Sequence, residues 1–308
     1  MKIGRRSEKC LIMDLNKKVS ALARLKKTSI SVKDIASQLW CEKQMELFII
    51  TGGYSTLAMN KGAATHALIQ APVFKALPIE PVTYADRLYK WAYETYTSIS
   101  NIFKNGYCRE LKIYGSINGF KISGQIDELR LTNGKITIAE DKTIKGGNNN
   151  VVSLRYESDK LQSSIYQLLL SDIKDNNYTF ENFSNVYSLQ KMSLSPDFVK
   201  GLDSIGIKKE NQSLISIHKL MFESYKILPP LNDTIQLRYI DRTTRELISE
   251  SPIKYSKEEL SKNLTDIMAY WSGDREARPV SEENSWRCKM CNFFGKQCTT
   301  WWKEPTKT

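Results

Sequence analysis

The chain of 308 residues has only two histidines, His66 and His218, and no long apolar run. A transmembrane helix needs about 20 consecutive apolar residues, whereas the longest apolar stretches here, such as 47–50 and 168–170, are far shorter. No apolar segment follows the basic residues at the start, so a secretory signal is not expected. We therefore expect an intracellular protein with no membrane contact, cytoplasmic in a prokaryote and nuclear or mitochondrial in a eukaryote.

Basic residues outnumber acidic ones, and the net charge of +11 favours a polyanionic partner, most often nucleic acid. Hydrophobic residues make up 41% and charged residues 26% of the chain, which indicates an ordinary globular protein. Much of the positive charge falls in the first 27 residues. This segment could be a nucleic-acid arm, an organellar presequence or a solvated helix. No internal repeat or long linker divides the remainder.

Three short segments alternate between apolar and polar residues: 108–116, 120–131 and 135–143. The Asn-Gly pairs at 118–119 and 133–134 separate them. Asn-Gly between alternating segments is a strong hairpin signal, because both central residues of the turn take positive φ. The sequence therefore predicts three consecutive antiparallel strands.

Charged residues follow the apolar part of the second and of the third predicted strand. Asp127 ends one apolar segment, and Glu140-Asp141-Lys142 ends the next. Because side chains alternate along a strand, Glu140 and Lys142 share one face and Asp141 points to the other. An acid and a lysine at i and i+2, with a second acid on the neighbouring strand, suit a hard divalent cation such as Mg²⁺ or Mn²⁺. The carboxylates would hold the ion, and the lysine would orient the attacking water or stabilise charge on a phosphate.

A helix predicted at 154–172 places Gln162 and Tyr166 on one face, four residues apart. Each element alone has an ordinary explanation: a turn aspartate, a solvated strand face, an amphipathic helix. The ordered set Gly-x-Ile-Asp, Glu-x-Lys and Gln-x3-Tyr is far more specific. It resembles the core of the PD-(D/E)xK nucleases, in the RecB-like branch that carries the Gln-x3-Tyr signature.

His66 closes a Gly-x3-His pattern that begins at Gly62, ahead of the acidic strands. A lone histidine is more often structural than a ligand, but in RecB-like nucleases a histidine of this pattern joins the metal ligands. Glycine would let its helix approach the site closely. His218 lies at helical spacing among apolar residues, and we interpret it as a packing or surface residue.

Three of the six cysteines cluster near the carboxyl end as Cys288-x2-Cys291-x6-Cys298. Clustered thiols in an intracellular protein favour a metal over disulfides. The best candidate for a fourth ligand is Cys41, after Trp40. Spacing alone does not separate zinc from an iron–sulfur cluster, since both accept four thiolates. One distant cysteine and three near the carboxyl end resemble the iron–sulfur site of certain RecB-like nucleases.

Two further stretches narrow the resemblance. Residues 31–34 leading to 40–44, and 270–276 followed by 286–288, are similar to the exonuclease V (defects-in-morphology) family. The similarity spans roughly residues 29–302, nearly the whole chain, with its motifs in the family's order. It implies a metal-dependent exonuclease of single-stranded DNA in DNA repair or genome maintenance, with a [4Fe-4S] cluster and a divalent metal.

The resemblance also implies a role for each site residue. The metal ligands would be His66, Asp127 and Glu140; the catalytic set Asp127, Glu140, Lys142, Gln162 and Tyr166; and the cluster ligands Cys41, Cys288, Cys291 and Cys298. One departure is visible: the family usually has an arginine soon after the catalytic lysine and threonine, but here Thr143 is followed by Ile144. Lys145 or Arg155 could substitute for it.

For the fold, we expect an α/β nuclease core whose mixed central sheet comes from residues 108–142 and 234–250, flanked by helices. A basic arm at 1–30 would precede a single nuclease domain at 31–308. The iron–sulfur region, Cys41 with 286–302, would join the two ends of that domain. We expect a monomer that binds single-stranded DNA, with a single-strand-binding protein as a further partner.

Two other functions remain open. A CRISPR-associated RecB-like nuclease that trims DNA before integration would share every motif, although residues 271–276 and the chain length favour exonuclease V. A non-catalytic iron–sulfur DNA-binding protein is the other, and the intact Asp127, Glu140 and Lys142 argue against it. Gene neighbourhood would distinguish the CRISPR-associated nuclease from exonuclease V. A nuclease assay would distinguish the non-catalytic protein from both. Polarity, processivity and tolerance of RNA leave no signature in the sequence.

Overall fold

The computed structural model describes residues 19–70, 74–145 and 149–299. Most of the basic arm predicted at 1–30, the middle of the loop after the third strand, and residues 300–302 of the predicted iron–sulfur region lie outside these ranges. The helices are α1 (Ala21–Arg24), α2 (Val32–Ile50), α3 (Leu57–Gln70), α4 (Tyr84–Ser100), α5 (Ile102–Asn105), α6 (Asn149–Lys174), α7 (Phe180–Tyr187), α8 (Pro196–Ser204), α9 (Leu214–Lys226) and α10 (Lys257–Ser272). The strands are β1 (Ile30–Ser31), β2 (Tyr107–Ile117), β3 (Phe120–Thr132), β4 (Lys135–Ile144), β5 (Thr234–Asp241) and β6 (Leu247–Lys254).

The strands form one mixed sheet, as predicted, in the order β1-β3-β4-β5-β6, with β2 also paired to β3. Both Asn-Gly pairs make the expected turns, and all four of their residues have φ between 50° and 79°. β2, β3 and β4 are antiparallel neighbours, while β5 runs parallel to β4. The parallel step matches the long helical excursion from α6 to α9 between these two strands.

β3 and β4 separate halfway along their length. Their pairing runs from the Asn133-Gly134 turn only to Glu128 and Ala139. Beyond this point β4 continues beside β5, whereas the first half of β3 pairs with β1 through Ile122 and Ser123. The sheet therefore forks directly before Asp127 and Glu140, and the fork leaves room between the strands.

The helices that flank the sheet begin at clear sequence signals. Ser31 caps α2, and Asp34 completes a capping box with it. α6 lies across β2, β4 and β5 and packs against α2, and α4 packs with α9 beside β2. The core between these layers is apolar and rich in aromatic side chains, including the fully buried Trp271 and Tyr166.

Some element boundaries differ from the predictions. α6 is longer than the helix predicted at 154–172 and runs from Asn149 to Lys174. The second part of the sheet, predicted at 234–250, extends to Lys254. α2 is interrupted at Cys41, whose φ of −171° and ψ of 114° are extended rather than helical. In the described part of the chain, no helix combines the length and the apolar character that crossing a membrane requires.

Candidate active site

Asp127 and Glu140 face each other where the sheet forks. Asp127 is half-buried, and its Oδ2 accepts a hydrogen bond from the backbone N–H of Asp141 at 2.9 Å. Glu140 is 2% exposed, and its Oε1 accepts from Lys142 Nζ at 2.9 Å and from Gln162 Nε2 at 2.6 Å. Its Oε2 is buried and accepts no hydrogen bond from the described residues. An ionised oxygen buried without a donor is costly, so this oxygen is well suited to a cation.

Burial, reinforced by the charge of Asp127, raises the pKa of Glu140 to about 8. Lys142 opposes this shift but does not cancel it. Burial by itself would lower the pKa of Lys142, and the carboxylates of Glu140 and Asp159 more than offset that, so the pKa of the amine is raised. Lys142 is therefore a firmly charged ammonium beside an acid that needs a cation to stay ionised.

Gln162 and Tyr166 project from α6 into the same site. Gln162 joins the two charged partners, because its Oε1 accepts from Lys142 Nζ at 2.8 Å while its Nε2 donates to Glu140. The same Nε2 lies 3.2 Å from the Tyr166 hydroxyl. Gly124 makes room for that ring: a Cβ there would lie 2.5 Å from Tyr166 Cε1. The glycine of the Gly-x-Ile-Asp pattern thus permits α6 to approach β3.

His66 reaches the fork from α3. Its imidazole, Asp127 and Glu110 each offer a ligand atom, and these atoms all lie within 4.8 Å of one another. No other three histidine, cysteine, aspartate or glutamate residues within the described ranges meet this condition. α3 approaches β4 closely at Gly62, where a Cβ would lie 2.9 Å from Thr143 Oγ1. Of the three predicted metal ligands, the structure places His66 and Asp127 in this group with Glu110, while Glu140 lies beside it.

Glu110 is the site residue that sequence reasoning missed. It stands opposite Asp127 on β2, in a left-handed conformation with φ of 58° that interrupts the ladder between Arg109 and Leu111. Burial and the neighbouring Asp127 raise the pKa of Glu110 to about 7, although Gln125 Nε2 donates to its carboxylate. Strained residues in folded proteins cluster at functional sites. A signal was present, because the two-residue turn at Asn118-Gly119 fixes the register that pairs position 110 with 127.

The acids on the other face of the sheet have a different environment. Asp141 accepts from Arg109 at 2.5 Å and from Arg238 at 2.7 Å, and Glu128 accepts from the same arginines at 2.5 and 3.0 Å. Burial would raise the pKa of Asp141, but the charges of Arg238 and Arg109 outweigh it and lower that pKa. This network fixes the strand segment whose N–H holds Asp127.

Cys41, Cys288, Cys291 and Cys298 line one cavity, together with Trp40, Gln44 and Arg287. Gln44 contacts two of the thiols: its N–H donates to Cys41 Sγ at 3.4 Å and its Nε2 to Cys291 Sγ at 3.5 Å. Cys108 is buried elsewhere in the core, and Cys10 lies outside the described residues. The structure thus places the four predicted cluster ligands at one cavity.

Side chains from the carboxyl-terminal segment hold both flanks of Cys41. Arg287 Nη1 donates to the carbonyls of Leu39 and Trp40 at 3.2 and 2.9 Å, which the break in α2 leaves without helical partners. On the other flank, Arg275 binds Glu42 in a bidentate ion pair at 2.5 and 2.6 Å. Protein contacts therefore bring the two segments together at the thiols.

An arginine from elsewhere in the chain lies near Thr143, where the sequence lacks the arginine that is usual in the family. Lys145 and Arg155, the predicted substitutes, are both exposed. Arg242, which follows β5, donates from Nη2 to the Thr143 carbonyl at 3.3 Å. The Arg242 guanidinium therefore lies beside Thr143, although the residue after Thr143 is an isoleucine.

A forked mixed sheet, with acids and a lysine on one face and a crossing helix that presents Gln162 and Tyr166, defines a PD-(D/E)xK-like nuclease core. Residues 20–146 and 202–303 match the sequence model of the family described as "Exonuclease V - a 5' deoxyribonuclease". The chain belongs to the exonuclease V family of deoxyribonucleases, which are hydrolases.

Proteins similar to this chain include one from Danio rerio and one of known structure from Eubacterium rectale. Exonuclease V of Danio rerio is 21% identical over 281 residues, which cover 89% of this chain and 71% of that protein. A crystal structure from Eubacterium rectale, described as that of a presumed exonuclease, covers 95% of both chains at 12% identity with a TM-score of 0.40.

Proposed function

We propose that this protein hydrolyses phosphodiester bonds of single-stranded DNA from an end, with a divalent metal at the fork of the sheet. The observation that carries this proposal is the ligand group of His66, Glu110 and Asp127 beside the unpartnered oxygen of Glu140. Mixed nitrogen and carboxylate ligands suit Mg²⁺ or Mn²⁺. The family description favours cleavage from 5′ ends.

Asp127 and Glu140, with His66 and Glu110, would hold the ion on the open face of the fork. A divalent ion bound there would supply a hydroxide nucleophile near neutral pH and offset charge on the phosphate. Lys142 orients the attacking water or stabilises the phosphate, since its ammonium is charged and fixed by Glu140 and Gln162. Tyr166 and Gln162 shape the wall against which the scissile nucleotide is positioned.

The four cysteines are proposed to hold a [4Fe-4S] cluster. All four line one cavity, yet no three of their Sγ atoms lie within 4.8 Å of one another. Thiolates bound about 2.3 Å from a single tetrahedral zinc ion would lie only about 3.8 Å apart. The wider spacing of these thiols therefore suits a cluster better than one zinc ion. Burial raises the pKa of the Cys41 and Cys298 thiols, and nearby thiols raise that of Cys298 further. A bound cationic centre offsets this cost, since thiolates are the ligand form.

We further propose the assignments that complete this function. Residues 31–308 would act as one nuclease domain after a basic arm, and the protein would work as an intracellular monomer in DNA repair, alongside a single-strand-binding protein. A CRISPR-associated trimming nuclease remains the alternative of the same fold. A non-catalytic DNA-binding protein is disfavoured, because a scaffold has no need for a metal-ready group of acids beside a charged lysine.

The test is digestion of linear and circular single-stranded DNA, and of the matching duplex, each labelled at the 5′ or 3′ end, with Mg²⁺. We expect linear single strands to yield short products from the 5′ end, and circles and duplexes to persist. Cleavage of circles would contradict the need for an end, and preferential duplex cleavage would contradict the strand preference.

Matched lysine variants link the activity to the site. Lys142→Ala should be severely impaired. Lys121→Ala should digest the linear strand like the parent, because Lys121 on the same sheet donates to the Val186 carbonyl and lies over the Tyr187 ring, and neither is a residue of the proposed site. Equal rates for the two variants would mean that another group positions the water.

A further inference from the structure

Asp159 is a buried acid next to the site that lies outside the ligand set. It projects from α6 one turn before Gln162 and is only 2% exposed. Its Oδ1 lies 3.5 Å from Lys142 Nζ, and its Oδ2 accepts a hydrogen bond from the Tyr239 hydroxyl at 3.2 Å. A carboxylate is rarely buried unless it is paired, and here its partners are the catalytic lysine and one tyrosine.

Few side chains hold the Lys142 ammonium in position. Lys142 is 12% exposed, and its ammonium donates to Glu140 and Gln162. Glu140 is shared, because its carboxylate is also proposed to bind the metal. When the Glu140 carboxylate binds the metal ion, the contacts that remain to the Lys142 ammonium are those with Gln162, which is neutral, and with Asp159. Asp159 is then the remaining negative charge that touches the ammonium but not the metal site.

Tyr239 explains why Asp159 has a fixed orientation. It is the direct partner of Lys142 in the parallel pairing of β4 and β5, so the two side chains share a face of the sheet. Tyr239 is fully buried, and its hydroxyl reaches the oxygen of Asp159 that does not face the lysine. The tyrosine therefore orients the carboxylate with the other oxygen toward Lys142.

We propose that Asp159, oriented by Tyr239, is the positioning residue that holds the Lys142 ammonium in place for hydrolysis, an inference that rests on the proposed nuclease function. Among the described residues, the Asp159 carboxylate contacts Lys142 and Tyr239 and none of the proposed metal ligands, so it acts through Lys142. Its loss should change the rate of the chemical step and leave the binding of DNA and metal intact.

The first experiment compares Asp159→Asn with the parent on a short linear single strand at saturating Mg²⁺. Asparagine keeps the shape but removes the charge, and we expect kcat to fall about 10- to 100-fold, the usual cost of losing an outer partner of a site, with KM within about twofold. Asp172→Asn on the same helix is the matched control, because that carboxylate accepts a hydrogen bond from Asn177 and lies outside the proposed site, and it should leave kcat unchanged. A rise in KM with unchanged kcat would overturn the proposal.

The second experiment separates positioning from a general effect on the fold. In a Lys142→Ala background Asp159 has no ammonium to hold, so Asp159→Asn should cost almost no further rate. An equal loss in both backgrounds would show a structural role and overturn the proposal. Tyr239→Phe covers the case in which Asp159→Asn fails to fold: we expect it to lower kcat severalfold with the same dependence on Lys142, and parent-like kcat would overturn the inference.

These outcomes are distinct from failure of the proposed function. A parent rate that survives Asp127→Ala refutes the proposed active site itself. A rate that requires Asp127 and Lys142 but is indifferent to both Asp159→Asn and Tyr239→Phe refutes only the role of Asp159.

Discussion

Neighbouring acids on β3 and β4 point to opposite faces of the sheet and meet opposite environments. Asp127 and Glu140 face the fork, where Glu140 keeps one oxygen without a donor from the described residues. Glu128 and Asp141, the next residues, are bound by Arg109 and Arg238 on the far face. Strand alternation alone places one acid of each pair at the proposed metal site and the other in the ion-pair network.

Asp141→Asn should therefore destabilise the protein. The change leaves Arg109 and Arg238 short of a buried partner, and breaking a buried pair in this way costs about 3–5 kcal/mol. Urea denaturation would measure the free energy of unfolding. Asp203→Asn is the control, because its pair with Lys209 is exposed and its unfolding midpoint should match the parent. A parent-like midpoint for Asp141→Asn would show that the network contributes little.

The pH dependence of metal binding follows from the raised pKa values of Glu140, about 8, and Glu110, about 7. In the metal-free protein these acids hold protons that the unfolded chain has already released above about pH 4.5. The folded state then binds more protons than the unfolded state, so the metal-free protein loses stability as pH rises through this window. Metal must displace the same protons, so affinity should rise with pH.

Calorimetric titration of Mn²⁺ or Mg²⁺ between about pH 6 and 9 tests this expectation. Affinity should increase up to about pH 8 and then level off. In Glu140→Gln the increase should be smaller and end nearer pH 7, since Glu110 alone remains to be ionised. An affinity for the parent that does not vary with pH would mean that neither carboxylate is protonated before the metal binds.

At the scale of elements, the site exists because β3 and β4 part and α6 approaches the gap. Gly124→Ala tests that approach: its Cβ would overlap Tyr166, and forced overpacking costs about 1–3 kcal/mol. We expect a lower melting temperature and a slower nuclease rate, because Tyr166 and Gln162 share one hydrogen bond. In a Tyr166→Leu background the alanine should cost less stability, and the remaining loss would come from Val32, whose Cγ2 would lie 3.0 Å from the new Cβ. Equal losses in both backgrounds would place the strain elsewhere.

Much of this element structure could be predicted from the sequence, because the signals were local. Asn-Gly turns, the serine cap of α2 and the Gln-x3-Tyr spacing each depend on a few neighbouring residues. For Glu110 the register across the hairpin was the available signal, but the left-handed conformation that interrupts the strand at this residue has no signature in the neighbouring sequence. The break at Cys41 also escaped prediction, because contacts from residues more than 230 positions away stabilise it.

At the scale of the whole molecule, the proposed cluster and the protein contacts act at the same junction. Arg275 and Arg287 already join the carboxyl-terminal segment to α2 on both sides of Cys41. A cluster there would add its binding energy to a junction that the chain forms by itself. Protein contacts thus bring the thiols close to one another, and a bound metal centre would stabilise the same junction further.

Cys41→Ala should nevertheless give protein that is poorly soluble or inactive and depleted of iron. A thiolate-held metal can contribute about 10 kcal/mol to folding, comparable to the net stability of a typical domain. Cys108→Ala, at a buried thiol outside the set, and Cys10→Ala should keep the parent's iron content. Iron and sulfide analysis after anaerobic purification, with melting temperatures, would decide. Iron lost from Cys108→Ala or Cys10→Ala but retained in Cys41→Ala would overturn the ligand assignment.

The central claim is that the metal group at the fork performs hydrolysis, and one measurement tests it most directly. The rate of cleavage of end-labelled linear single-stranded DNA is compared for the parent and Asp127→Ala, with Mg²⁺ and with excess chelator. The account predicts rapid, Mg²⁺-dependent cleavage by the parent and none by a folded Asp127→Ala that still binds DNA, because phosphate contacts supply most of the affinity. Full cleavage by Asp127→Ala, or by the parent in chelator, would contradict it.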